Sequence, residues 1–194
     1  MNGSRQIFRI IAFSLPKAGL SAKNTIFTIM VSINTMPPHT RVWVYQADRK
    51  LGHEEIALIK EATHNFISQW AAHGAPLTGG YGVFKNHFWV IAVDEADAAA
   101  TGCSIDKSVN FVKAYGEKMG VDFFNRLNIA TELDGHLELI PLNEFEILVK
   151  RGEITADTVV YDNTITTIGD FNNRWHTAAG NTWLSRYFAK QTVK

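Results

Sequence analysis

A single cysteine, Cys103, is present in 194 residues, which excludes an intramolecular disulfide framework and a multi-cysteine zinc site. Neither sign of charge is in surplus. The 19 basic and 19 acidic side chains cancel, so the basic excess of a dedicated nucleic-acid binder is missing and nucleic acid is not an expected partner. No apolar run approaches the ~20 residues that a membrane span needs. The seven histidines show neither HExxH nor any paired ligand spacing, so no metal site is expected, and which cofactor, if any, the protein uses is unknown from the sequence. What remains is a chain with 46% hydrophobic and 20% charged residues, enough to bury a core. Its length suits one domain with an extension. These features predict a soluble, cytoplasmic protein of mixed α and β structure.

Acidic residues are also missing locally, since none occurs before Asp48. Arg5, Arg9, Lys17 and Lys23 give residues 1–35 a positive charge and leave the remainder with 15 basic against 19 acidic residues. This segment has three readings. It is a leader outside the fold, or translation from a start set upstream of Met30 or Met36. It is a basic amphipathic membrane anchor. Or it is a cleaved signal, although Ile10–Leu15 is short, Lys17 closes it, and no clear small-residue cleavage site follows. Pro37-Pro38 then blocks both helix and central strand, which places the domain at residues 36–194.

Along that domain, Arg41–Gln46 (RVWVYQ) predicts a strand. A helix capped by Gly52 is expected to run to about His73 and stop at Gly74 and Pro76, on the spacing of Ile56, Ile59, Phe66, Ile67 and Trp70. Gly79, Gly80 and Gly82 predict a flexible turn. Strands follow over Tyr81–Lys85 and His87–Val93, joined at Asn86, and then an acidic loop over Asp94–Gly102. A second helix over about Ser104–Met119 is expected to have Ser104 as N-cap, a buried stripe of Ile105, Val109, Val112 and Met119, and Gly120 as its stop. Strands are predicted over Asp122–Thr131 and His136–Ile140 around Asp134-Gly135. A short helix over Glu144–Arg151 capped by Asn143 comes next, then weaker strands over Thr158–Tyr161 and Thr164–Ile168, and a last helix over about Thr182–Lys190. The fold class is α+β: a mainly antiparallel sheet with helices packed on one face. The order strand, helix, strand, strand, helix, strand is that of a ferredoxin-like split βαβ core, here with a C-terminal extension.

Chemistry is concentrated at Gly102-Cys103-Ser104-Ile105-Asp106. A cysteine at a helix mouth meets the partial positive charge that stabilises a thiolate, and His73 or His87 would supply a base. Against this, a lone cysteine is an ordinary small hydrophobe, Ser104 is explained by capping, and Asp106 disfavours a thiolate by like-charge repulsion. His73 also has a structural reading, at a helix C-terminus. Asp94, Glu95 and Asp97 read as a solvated turn rather than a cation site. Gly79-Gly80-Tyr81-Gly82 leads into a strand and matches neither phosphate-binding glycine pattern. Trp43, Tyr45, Phe88 and Trp89 read as core rather than base-stacking residues, because no basic face accompanies them.

The stretches HTRVWVYQ (39–46), WAAHGAPL (70–77), VDEADAAATGCSID (93–106), GVDFFNR (120–126) and WLSRYF (183–188) resemble a bacterial family of small proteins without an assigned activity. Its members are often filed under the automatic name "ABC transporter ATPase". The resemblance covers roughly residues 36–190, and the name implies a nucleotide-linked function. The chain holds neither a Walker A lysine motif nor an ABC signature motif, and it is too short for that type of nucleotide-binding domain. Three functions therefore stand as expectations. One is a domain binding a small molecule or a protein at a site around Cys103, with Trp70, His73, His87, Trp89, Ser104 and Asp106 as neighbours. The second is a thiol-dependent enzyme with Cys103 as nucleophile and His73 as base. The third is the nucleotide-linked protein of the family's label. The geometric expectation is a concave site holding Cys103 with His73 or His87 within reach.

Overall fold

The sequence VWV in RVWVYQ alternates two faces, and Arg41–Gln46 forms β1 in the computed structural model, which describes residues 32–189. The three readings of the N-terminal segment concern residues 1–35, of which 1–31 lie outside the described residues. Ile33, in a short 3₁₀ turn, and Met36 are buried against the body. The helix α1 (His53–Ile67) starts where expected, because Glu55 reaches back to the Gly52 N–H at 2.7 Å. It ends six residues earlier than His73. Two-residue strands β2 (Ala71–Ala72) and β3 (Ala75–Pro76) form a hairpin there, with His73 and Gly74 both at positive φ, the conformation of a tight hairpin turn.

The glycines that predict a flexible turn instead belong to a strand, β4 (Thr78–Phe84). Their reason is space. A Cβ on Gly79 would lie 2.8 Å from Ile67, and one on Gly82 would lie 2.6 Å from Phe84. The positive-φ pair Lys85-Asn86 then turns the chain into β5 (Phe88–Asp94). The sheet order is β1-β5-β4, all antiparallel. β5 is buried on both faces: Trp89, Ile91 and Val93 point into one cluster, and Phe88, Val90 and Ala92 into another.

The helix α2 (Gly102–Met119) begins two residues before Ser104. Thr101 is its N-cap, and the two hydroxyls are reciprocal: Ser104 N–H donates to Thr101 Oγ1, and Thr101 N–H donates to Ser104 Oγ at 2.8 Å. Its fully buried positions are Ser104, Ser108, Val112 and Gly116, with Ile105, Val109 and Met119 only half-buried. Small side chains let α2 lie close to its neighbours, which a reading of apolar periodicity overlooks. Gly120 (φ 63°) ends the helix as expected.

From here the chain leaves the split βαβ plan. The first three strands have its order, but the stretch after α2 does not return beside β1. Residues 122–127 are irregular, with Asp122 and Asn125 side chains accepting from the N–H groups two residues on. β6 (Asn128–Leu133) then opens a second sheet with β7 (His136–Pro141), joined by the expected Asp134-Gly135 turn. α3 (Leu142–Arg151) follows, closed by Gly152. β8 (Val159–Tyr161) precedes α4 (Ile168–Arg174), β9 (His176–Ala178) and a four-residue α5 (Ser185–Phe188). The expected strand over Thr164–Ile168 is reduced to one bridge, Arg41 to Thr167, and the last helix is shorter than expected.

The second sheet has the order β7-β6-β8-β9 and stacks on the first. Ala130 and Tyr161 face β5 in the middle cluster with Phe171 and Trp175 of the α4 region. Ile129, Ile140 and Val160 face α3, with Phe145 and Val149. The fold is α+β, with α1 and α2 outside one antiparallel sheet and α3 outside the other. No helix among the described residues is long and apolar enough to cross a membrane.

Gly116 tests the close approach of α2. Alanine gains ~1 kcal/mol in helix propensity, but its Cβ would stand 2.7 Å from the backbone oxygen of Val121. We expect Gly116→Ala to destabilise the fold by about 1–2 kcal/mol net, read as a lower urea midpoint at constant m-value.

Candidate functional site

The residues singled out in the sequence divide between two places. Trp70 is buried, and its Nε1 donates to the Ser104 carbonyl at 2.9 Å, so the β2–β3 hairpin packs near the start of α2. His73, at the hairpin turn, and Cys103, in the first turn of α2, are both exposed, and no hydrogen bond joins them. Asp106 is exposed one turn on. His87 is elsewhere. It lies just before β5, buried, with Nδ1 2.8 Å from the Lys85 carbonyl, whereas α2 begins after the loop that follows the other end of β5. Seven strand residues separate those ends by about 20 Å. Trp89 is fully buried between the rings of Phe111 and Phe123, with no partner for its Nε1 among the described residues. Trp70 and Ser104 thus meet, but as core and cap. Neither of the two clefts described next is lined by Cys103, which is exposed in the first turn of α2.

The larger cleft lies where the split βαβ plan would place its fourth strand. It has a volume of about 780 Å³ and runs along the whole of β1. Its far walls are Phe123–Arg126, Asn128–Ala130, residues 160–166 and Thr182–Leu184. The residues of β1 alternate in backbone direction. Ala47 N–H bonds inward to His87, so Arg41, Trp43 and Tyr45 face β5, and Val42, Val44 and Gln46 face the cleft. At one end Val42 N–H donates to Thr166 at 3.0 Å; beyond the other, Asp48 N–H donates to Asp122 at 3.0 Å. Between them, Val44 has no backbone partner on its outer side among the described residues.

A polar relay closes one end of the cleft. Trp175 Nε1 donates to Asn163 Oδ1 at 3.0 Å, Asn163 Nδ2 donates to Gln46 Oε1 at 2.8 Å, and Gln46 Nε2 donates to the Asn128 carbonyl at 3.0 Å. The open part has aromatic and cationic walls. Arg41 lies over the Trp43 ring, 4.9 Å from its centre, and Trp183 is covered from outside the lining by Arg186 at the same distance. Phe124 and Trp183 are 39% and 37% exposed, unusual for such side chains. Arg126 is exposed. The only acid in the lining, Asp162, is turned back onto its own loop, accepting from Thr164 N–H at 3.1 Å. Burial pushes the Tyr45 phenol up to about 12, against a smaller lowering by Ser108. A shallower cleft of about 620 Å³ shares Val109, Phe123 and Phe124 and is otherwise bounded by Asp48, Lys113, Glu117 and Asp122 among others.

A separate titratable cluster joins the two sheets. Glu132 on β6 lies 2.8 Å from His176 Nε2, accepts from Tyr161 OH at 2.9 Å, and lies 3.5 Å from Lys85 Nζ on the first sheet's turn. The His176 bond, more than Tyr161, holds the Glu132 carboxyl below its ordinary value against some desolvation. Burial, then the bond to Glu132, pushes the Tyr161 phenol up. No group of three or more metal-ligating side chains occurs among the described residues. Sequence reasoning did not single out Phe124, Arg126 and Asn163, which line the larger cleft. The turn-forming Asp122 and Asn125 around them were the available signal, since they end any strand before Phe124. Comparison of the chain with protein-family models, curated proteins and solved structures found no match.

Two outcomes are expected here. Cys103→Ser should change stability by less than about 0.5 kcal/mol, as at other exposed positions without partners, by chemical denaturation. For Glu132, a depressed carboxyl stabilises the fold above its unfolded value of about 4.3 and loses that contribution as pH falls through the folded value. The stability gap between the wild type and Glu132→Gln should therefore be full near pH 6 and close below about pH 4, measured by urea unfolding across that range.

Proposed function

We propose that the chain is a binding domain whose site is the cleft along β1. The observation that supports this best is an internal strand edge left open inside a cavity of about 780 Å³. Ligand sites have about 300–1,000 Å³. Ordinarily a strand edge is paired, covered or blunted by charge; here it is flanked by exposed Trp183 and Phe124 and by the arginines 41 and 126. Such walls favour a ligand with both an apolar and an anionic part. Binding is favoured over catalysis because the lining holds no cysteine or histidine, and its one carboxylate is engaged in its own turn. The reading keeps the small-molecule or protein-binding class expected from the sequence and moves its site away from Cys103. A nucleotide-linked role gains no support from Gly79–Gly82, whose glycines serve sheet packing rather than a phosphate loop.

The test is a fragment screen on the isotopically labelled full chain, read by NMR. Hits should shift the Trp43 and Trp183 indole signals and the Val44 and Asn163 amides. Trp183→Ala should weaken those hits about tenfold, a loss of about 1.4 kcal/mol, with the unfolding midpoint little changed. Hits that perturb only the β2–β3 hairpin and the start of α2 would return the site to Cys103 and overturn the proposal.

A further inference from the structure

Resting on the reading of the cleft as a binding site, the geometry points to one ligand class: an extended peptide bearing carboxylates on alternate residues, which adds a strand to the outer edge of β1.

The edge supplies the first argument. Val42 N–H is bonded to Thr166, and Gln46 is held through its side chain. Between them, Val44 directs both its N–H and its C=O into the cleft without a backbone partner among the described residues. An antiparallel residue opposite Val44 would exchange two hydrogen bonds with it, the closed pair of an antiparallel ladder. This is how extended peptides are taken up by sheet edges elsewhere: the main chain gives affinity and alternate side chains give specificity. The place beside Arg41 and Val42 is taken by Thr166 and Thr167; the open edge from Val44 to Gln46 spans about 7 Å of strand, so about three residues of a longer segment pair with it.

The alternation of the sheet supplies the second. A strand added beside β1 shares its two faces. One face carries Arg41, Trp43 and Tyr45, on the side of α2. The other carries Val42 and Val44, half-buried or buried toward the second sheet. Side chains of the added strand on the first face meet aromatic rings and guanidinium groups; those on the second meet aliphatic carbon.

Charge supplies the third. Outside residues 1–35 the chain carries more acid than base, yet the cleft lining reverses this, with Arg41 and Arg126 against Asp162 alone. Asp162 is committed to Thr164. Arg41 has only a loose ion pair, 3.9 Å to Glu95, and Arg126 has no ion pair among the described residues. Guanidinium groups match carboxylates in bidentate geometry, so acidic residues at every second position are the complement of this face.

The experiment uses the full chain and three probes: the capped peptide Glu-Val-Glu-Val-Glu, its lysine analogue, and a version N-methylated at alternate amides. Backbone hydrogen exchange is read by NMR, and affinity by titration. In the free protein the Val44 amide is expected to exchange fast, and those of Trp43 and Tyr45 slowly. Saturation with the acidic peptide should slow Val44 exchange at least tenfold. N-methylation at the edge-facing amides and replacement by lysine should each weaken binding at least tenfold. Arg126→Gln, at an exposed position, should weaken it several-fold with an unchanged fold. Equal binding of the N-methylated peptide, or fragment hits in the cleft without peptide binding, would overturn strand addition and leave the cleft a small-molecule site. A Val44 amide protected in the free chain would overturn it by showing the edge closed by the protein itself or by a second copy. If neither peptide nor fragment touches the cleft, the binding reading fails along with it.

Discussion

The fold depends on the burial of one strand. β5 offers FWVIAV, six consecutive apolar residues, and an antiparallel strand of that kind cannot leave either face to water. One face is covered by α1 and α2, the other by a second sheet. With β1 and β4 paired to its two edges, β5 has no free side at all. At roughly 25 cal/mol per Å² of apolar surface removed from water, this strand is where the two outer layers gain by meeting, and their relative placement follows from it.

The position of α2 then determines what happens at β1. Its buried stripe of Ser104, Ser108, Val112 and Gly116 brings the helix down close, with Gly116 against the backbone of Val121. The chain leaving the helix is held there by Val121 N–H to the Gly116 carbonyl at 3.0 Å and by the Asp122 and Asn125 turns. Directed this way, it begins the second sheet instead of pairing with β1. The cleft is therefore a product of how α2 ends, and its aromatic wall at Phe123 and Phe124 is the same stretch of chain.

Much of the fold was legible in the residues. β1 is found over the span RVWVYQ predicts, and the turns at Asn86 and Asp134-Gly135 were identified by side chains that tolerate positive φ. Gly120 and Gly152 marked helix ends for the same reason. The misreadings have physical causes. The glycines of β4 read as a turn because nothing in a sequence states that Ile67 and Phe84 will fill the missing Cβ space. The stripe of α2 was misplaced because serine and glycine are buried there by close packing, not by hydrophobicity. His73 read as a helix end because Gly74 and Pro76 also suit a two-residue hairpin. The cleft was least legible of all. Cys103 stood out by chemical type, while the cleft is made by a strand that is missing from a place beside β1, and local pattern does not record an absence between segments that are more than 70 residues apart.

The two tethers of the cleft have a mechanical consequence. The gap beside β1 is held by Val42–Thr166 at one end and by the Gln46–Asn128–Asn163 links at the other, with no rung between among the described residues. β1 itself stays rigid there, because every one of its residues is paired with β5 on the inner side. If the cleft takes a guest, entry at the middle would break no ladder bond among the described residues, and the exposed side chains of Phe124 and Trp183, which move on the timescale of rotamer motion, would be the groups to rearrange.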